Sequence, residues 1–322
     1  MPDLTLVVVG DPAASHMQLL KRLPDQVRVI VSRDPDELKA VLPKADLLLN
    51  GGFFNSLFKQ VFPFATQLQW IHNMSTGVEG ILSPEILAST VPLTNGRGVF
   101  SSVLAEFVAG SILYFAKDFR RMIRNQTAGT WSQFDIMPVK GAMLAIVGYG
   151  DIGRASAKLA NALGMHVVAL RRRASKSAED PQLRAVYTHE RLHEMLVSCD
   201  YLLVAAPHTP ETHGMIGEAE LNALKNDAVV INVGRGPIID ESALVRVLKE
   251  NRIKGAALDV FDREPLPEGH AFYKLDNVLL SPHSADHTVG WLELAVERFI
   301  ELFGRFRNGE PLDHIVDKKA GY

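Results

Sequence analysis

Arg235, Glu264 and His283 each follow closely on a short apolar run, namely Ala228–Val233, Ala256–Val260 and Val278–Leu280. An arginine offers a planar fork of donors that fits a carboxylate or a carbonyl oxygen. A histidine titrates near neutrality and can give or take a proton. A glutamate beside it would orient the ring and raise its pKa, keeping it protonated until the proton is needed. Joined to a hydride donor, these are the parts for reducing a keto acid: the arginine binds the carboxylate and polarises the ketone, and the histidinium delivers the proton. Singly each is a weak signal, because an arginine after a strand is commonly a surface ion-pair partner and a histidine after proline is commonly a loop residue. Their order and shared placement carry the reading.

The hydride donor is suggested by Gly148-Tyr149-Gly150-Asp151-Ile152-Gly153, which lies between the apolar run ending at Val147 and a helical stretch from Arg154 to Leu163. A second apolar run, His166–Leu170, follows. Strand, glycine turn, helix, strand is the context in which this glycine spacing signals a dinucleotide site. Gly148 permits the tight turn, Gly150 lets the backbone approach a pyrophosphate, and Gly153 lets helix and strand pack closely. The pyrophosphate is then expected on the helix N-terminus, where free N–H groups favour an anion. The bland alternative is a glycine turn in an ordinary βαβ unit.

The elements that must position these residues are legible as alternation. Apolar runs at Leu4–Val9, Val27–Val31, Asp46–Leu49, Leu68–Ile71 and Val91–Leu93 are separated by polar or amphipathic pieces such as Pro35–Leu42 and Phe53–Val61. Runs at Tyr201–Ala206 and at the three sites named above repeat the pattern after the glycine turn. Short continuous apolar runs alternating with helical pieces predict parallel sheets covered on both faces. Leu104, Phe107, Val108, Ile112, Phe115 and Phe119 share one face of a single long amphipathic helix predicted over Ser101–Arg124. Thr288–Phe306 reads as a second amphipathic helix. In the first half, Ser75, Thr76 and Gly77 follow a strand end and could present backbone N–H groups to an anion, although a plain connecting turn reads equally well there.

The chain has 322 residues, which predicts two domains. With 47% hydrophobic and 22% charged residues and a net charge of −3, it reads as a soluble globular protein, with no electrostatic case for nucleic acid or an anionic membrane. The single cysteine, Cys199, allows no internal disulfide; it is expected buried and inert, in a reducing, cytoplasmic compartment. No metal site is predicted.

The segments KGAMLAIVGYGDIG (140–153), APHTPETHGMIG (206–217), INVGRGPIIDESAL (231–244), GAALDVFDREPLP (255–267) and SPHSADHT (281–288) resemble the D-isomer-specific 2-hydroxyacid dehydrogenases. The resemblance covers most of the chain. It implies an α/β fold of two doubly wound parallel-sheet domains, a flavodoxin-like substrate domain (1–97 plus 287–322) and a Rossmann cofactor domain (98–286), with the site in the cleft. It implies catalytic roles for Arg235, Glu264 and His283. Nucleotide contacts are implied at Tyr149, Asp151, Ile152, Ala206, Pro207, Thr212, Val233 and Gly234, at Arg235 and His283, and at Asp259 for the nicotinamide amide. The loop 73–81, NMSTGVEGI, is similar to the family's substrate-carboxylate loop, which implicates Ser75, Thr76 and Gly77 together with Arg235 and His283. The family is usually dimeric through a helix at 101–124, so a homodimer is expected.

Departures refine these expectations. The family's ribose-binding acid falls on Arg171, which cannot accept from ribose hydroxyls but can bind a 2′-phosphate. Arg172 and Arg173 reinforce it, with help from Ser175, and NADPH is expected in preference to NADH. A solvated basic loop is the alternative. Ser284 and Asp286 replace small or apolar residues of many relatives. Phe53 and Phe54 would favour an apolar substrate side chain unless they are core. The expected reaction is reduction of glyoxylate, hydroxypyruvate or a larger 2-keto acid to the D-2-hydroxy acid. Alternatives are a formate or phosphite dehydrogenase, which Glu264 beside His283 disfavours, and a nucleotide-sensing corepressor-like protein without turnover, whose extra partner-binding segments are not seen.

Overall fold

Runs of Val, Leu and Ile with no polar alternation can satisfy both faces only inside a covered parallel sheet, and the computed structural model, which describes residues 4–172 and 179–322, shows two such sheets. The chain divides into two compact units, Met1–Val99 with His287–Tyr322, and Phe100–Asp286. The first division lies two residues beyond the expected 97/98.

In the first unit the strands are β1 (Leu4–Val9), β2 (Val27–Ser32), β3 (Leu47–Asn50), β4 (Trp70–Asn73) and β5 (Leu93–Asn95). They pair in parallel in the order β2-β1-β3-β4-β5, so the order reverses between β1 and β3. This is the flavodoxin-like order, and ligands bind such sheets beyond the carboxyl ends of the strands at the reversal. Helix Pro35–Val41 starts where it does because Asp34 accepts from the N–H groups of Asp36 and Glu37 and proline occupies the first turn. The C-terminal helix Trp291–Arg307 returns to this unit, stacking Phe299 and Phe306 on Trp70 at 5.1 and 5.5 Å between ring centres.

The second unit carries β6 (Met143–Val147), β7 (His166–Leu170), β8 (Ala185–Tyr187), β9 (Tyr201–Val204), β10 (Val229–Asn232), β11 (Gly255–Leu258) and β12 (Val278–Leu280). All neighbours are parallel, in the order β12-β11-β10-β9-β6-β7-β8, with the reversal between β6 and β9. The edge strand β8 has no counterpart among the predicted runs: it is only three residues long and partly exposed throughout. Cys199 is fully buried ahead of β9; burial, reinforced by the Asp200 charge, pushes its thiol up to about 12. Among the described residues no helix is long and apolar enough to cross a membrane.

One expectation is corrected. The predicted continuous helix over 101–124 is two helices, Ser101–Ala116 and Phe119–Thr127. Asp118 adopts the left-handed conformation (φ 49°), which aspartate tolerates better than most side chains. Its carboxylate accepts from the Arg121 N–H, so it caps the second helix. The apolar stripe runs on across the break, which is why periodicity conceals it. Leu104, Val108, Ile112 and Phe115 of the first helix are buried, whereas Phe119, Met122 and Ile123 of the second are exposed.

Candidate active site

The glycine turn sits at the reversal point of the second sheet. Gly148 has φ +94°, and a Cβ there would lie 2.5 Å from the Ala206 backbone, so only glycine lets the ends of β6 and β9 meet. A Cβ on Gly153 would lie 2.6 Å from the Gly148 carbonyl oxygen, so helix Asp151–Ala162 packs directly on the turn. At Gly150, by contrast, a Cβ would meet nothing within 4 Å: the turn is open on that side, and Gly150 caps the helix with no side chain. An open approach to uncapped N–H groups fits a pyrophosphate. Asp151 and Ile152 begin the helix, partly exposed. Tyr149 lies within the turn, between Gly148 and Gly150. Its side chain is buried and its hydroxyl donates to Asp180 at 3.1 Å, leaving only its backbone for a nucleotide. Burial and the Asp180 carboxylate raise the phenol to about 12, against the opposing charges of Arg154 and Arg171.

Arg171 follows β7, tied to the edge strand by its N–H donating to Tyr187 at 2.9 Å. It is partly exposed and Arg172 is exposed. Glu211, an exposed carboxylate held low mainly by the Thr209 hydroxyl, also feels the Arg172 charge. Within the turn 207–212, the Thr212 hydroxyl donates to the Pro207 carbonyl at 2.7 Å and accepts from the Thr209 N–H at 2.8 Å. Arg173 and Ser175 lie outside the described residues.

Arg235, Glu264 and His283 are brought together at the ends of β10, β11 and β12. Asn232, buried, fixes the Arg235 turn by accepting from the Gly234 N–H at 3.0 Å and donating to the Arg235 carbonyl at 3.1 Å. The Arg235 guanidinium donates to the Gly234 carbonyl at 2.7 Å. Val233, Gly234 and Ala206 are buried beneath it. Asp259, also buried, accepts on one oxygen from the Ser281 hydroxyl (2.5 Å) and from the N–H groups of Ser284 (2.9 Å) and Ala285 (3.0 Å). Besides the nicotinamide contact expected of it, Asp259 therefore shapes the loop that carries His283, a residue held at φ 52°. Ser284 contributes to that loop through its backbone, and Asp286 ends the second unit, partly exposed.

Glu264 divides its oxygens. One accepts from the Phe261 N–H at 3.0 Å and the other contacts His283 Nδ1 at 2.6 Å. The His283 and Glu264 side chains remain 44% and 34% exposed, so a small molecule can reach them. The Glu264 hydrogen bond raises the His283 pKa; burial opposes it, the charges of Glu264 and Asp259 assist, and Arg235 opposes. Burial alone would raise Glu264, but the bonds from His283 and Phe261 and the charges of His283 and Arg235 bring it below the ordinary value. With Nδ1 occupied by Glu264, Nε2 is the nitrogen left to exchange a proton with a ligand. Among the described residues no group of three His, Cys, Asp or Glu side chains could hold a metal ion.

Ser75, Thr76 and Gly77 stand beyond β4 in the first unit. Asn73 donates to the carbonyls of Ser75 and Gly77, each at 2.8 Å, and Asn95 donates to that of Thr76 at 2.5 Å. All three carbonyls are thus held by these amides, and no acceptor for the three N–H groups is found among the described residues. Asn50, at the end of β3, in turn donates to Asn73 at 2.8 Å. The sequence marks these asparagines as the first residues of loops beyond apolar runs but assigns them no role. The signal available was a polar amide closing each apolar run. Phe53 is 76% exposed and meets Trp291 edge-on at 5.9 Å, whereas Phe54 packs on the core of this unit.

Comparisons with known proteins show the family to which the chain belongs. The family model for the NAD-binding domain of D-isomer specific 2-hydroxyacid dehydrogenases matches residues 109–285. A glyoxylate reductase of Thermococcus gammatolerans is 31% identical over 312 residues, 93% of this chain and 88% of the relative. Among solved structures, an NADPH-dependent glyoxylate/hydroxypyruvate reductase of Sinorhizobium meliloti, in complex with NADP and sulfate, superposes with a TM-score of 0.85 at 26% identity, covering 99% of this chain and 100% of the other. A D-isomer specific 2-hydroxyacid dehydrogenase of Xanthobacter autotrophicus, in complex with NADPH and MES, gives 0.82 at 27% identity, covering 99% and 100%.

Proposed function

Because the chain belongs to the D-isomer specific 2-hydroxyacid dehydrogenase family, and is therefore an oxidoreductase that uses a nicotinamide cofactor, we propose that it reduces 2-keto acids, glyoxylate and hydroxypyruvate foremost, to D-2-hydroxy acids with NADPH. The observation that carries this reading is the 2.6 Å contact between Glu264 and His283 Nδ1. Paired in this way, His283 stays protonated to higher pH and offers Nε2–H to the substrate carbonyl oxygen. Arg235 binds and polarises the same keto acid through its planar donors. The free N–H groups of Ser75, Thr76 and Gly77 are assigned to the substrate carboxylate. Bound nicotinamide would supply the hydride. Gly148, Gly150 and Gly153, with Asp151, Ile152, Pro207, Thr212, Val233, Gly234 and Asp259, are assigned to hold it.

The preference for NADPH is supported by Arg171 and Arg172 at the end of β7, where a 2′-phosphate would need cations. The NADPH and NADP in the Xanthobacter and Sinorhizobium structures point the same way. We also propose a homodimer, supported by the exposed apolar residues Phe119, Met122, Ile123, Trp131, Ile136 and Met137; a monomer mass in light scattering would reject it.

The test of the reaction is keto-acid reduction by Arg235→Ala and His283→Ala. Each is expected to lose at least about a hundredfold in kcat/KM, with nucleotide binding retained. Full activity in both variants rejects the mechanism.

A further inference from the structure

Glu241 is the first residue of helix Glu241–Lys249, yet its side chain does not cap that helix. Asp240 already caps it by accepting from the Ala243 N–H at 3.0 Å. The Glu241 carboxylate reaches outward instead. One oxygen accepts from the Asp262 N–H at 3.1 Å, and the other meets His270 Nε2 at 3.2 Å. The His270 tautomer follows from its second contact: Nδ1 accepts from the Phe272 N–H at 3.3 Å, so Nε2 carries the hydrogen and donates to Glu241. Both side chains are only 21% exposed. The His270 ring lies 4.8 Å from that of Phe272, which is buried and 6.2 Å from Phe261.

The residues so gripped are the neighbours of the proposed active-site side chains. Phe261 donates to Glu264, and Asp262 is two residues before it. On the opposite side, a Cβ on Gly236 would fall 1.9 Å from the Phe261 carbonyl carbon and 2.4 Å from the Asp262 nitrogen. The turn that carries Arg235 thus rests on the same peptide group that Glu241 holds. No side chain intervenes, so a shift of that peptide moves the Arg235 turn and the Glu264 carboxylate together.

We infer that Glu241, held by His270, is a positioning residue for the reaction: it fixes the Phe261–Asp262 peptide and thereby sets Glu264 against His283 and Arg235 beside them. This rests on the reading of Arg235, Glu264 and His283 given above. Neither residue touches the reacting atoms. Their effect is to keep Glu264 at hydrogen-bonding distance from Nδ1, which sustains the raised pKa of His283.

The experiment compares wild type, Glu241→Ala, Glu241→Gln, His270→Ala and the Glu241→Ala/His270→Ala double variant in NADPH-dependent glyoxylate reduction across pH, with NADPH affinity measured by nucleotide fluorescence. Loss of alignment at a remote support costs about ten- to a hundredfold, so kcat of Glu241→Ala is expected to fall by that factor while NADPH affinity changes less than about twofold. The alkaline fall of kcat/KM should move to lower pH, because a loosened Glu264 no longer holds the His283 proton. Glu241→Gln, which keeps an acceptor for the Asp262 N–H, should recover most of the rate, and the double variant should be no slower than Glu241→Ala. Should Glu241→Ala not fold, His270→Ala must show the same pH displacement in milder form. An unshifted pH profile in the alanine variants, or equal losses in kcat and NADPH affinity, overturns the inference. His283→Ala in the same assay separates this failure from failure of the parent reading: if His283→Ala retains full activity, the catalytic assignment itself is wrong.

Discussion

Glu264 and His283 stabilise each other's charged forms, and the two halves of that coupling act at opposite ends of the pH scale. His283 is raised in the folded chain, so its contribution to stability is complete below the pKa of an unfolded histidine and is lost as pH rises through the higher folded value. Glu264 is lowered, so its contribution is present above the pKa of an unfolded carboxylate and is lost as pH falls through the depressed value. For turnover the histidine side decides, since reduction needs the proton. Replacing Glu264 by Gln removes the first cause of the raised pKa. The alkaline limb of kcat/KM is therefore expected to move to lower pH, with a drop in rate at neutral pH, and an unmoved limb would show that Glu264 does not tune His283. The three residues were legible in the sequence because each follows closely on an apolar run. Asn232, Asn73 and the Glu241–His270 pair were not: their partners are backbone groups or distant residues whose proximity only the folded chain creates.

At the level of elements, the apolar runs announced eleven of the strands because a strand buried on both faces must be apolar throughout. β8, three residues long and partly exposed throughout, matched none of these runs, and the break at Asp118 escaped because the stripe through Phe115 and Phe119 continues past it. The glycine turn is where sequence and geometry agree most closely, and it yields a sharp expectation. Alanine at Gly148 must accept φ +94° and press its Cβ into the Ala206 backbone 2.5 Å away. Backbone strain and overpacking of this kind cost at least about 2 kcal/mol, to be read as a lowered urea midpoint for Gly148→Ala together with weakened NADPH binding. A midpoint equal to wild type would mean that β6 and β9 do not meet as described.

For the whole molecule, chain length predicted two domains and the structure has two compact units, the second interrupting the first in sequence. The choice between nucleotides rests on Arg171 and Arg172 at the end of β7. Ligand binding to the native state raises stability in proportion to the logarithm of saturation. Equal concentrations of NADPH and NADH should thus give the larger rise in Tm with NADPH, and Arg171→Asp should narrow or reverse the difference; a larger rise with NADH in the wild type refutes the arginine argument. Cys199 has a consequence of another kind. As the only thiol in the chain, fully buried and with its ionisation pushed up to about 12, it is shielded from alkylation while the second unit stays folded. A maleimide in excess would therefore act as a stopwatch on native chains, each labelling event recording one opening around β9, with no engineered reporter in the protein.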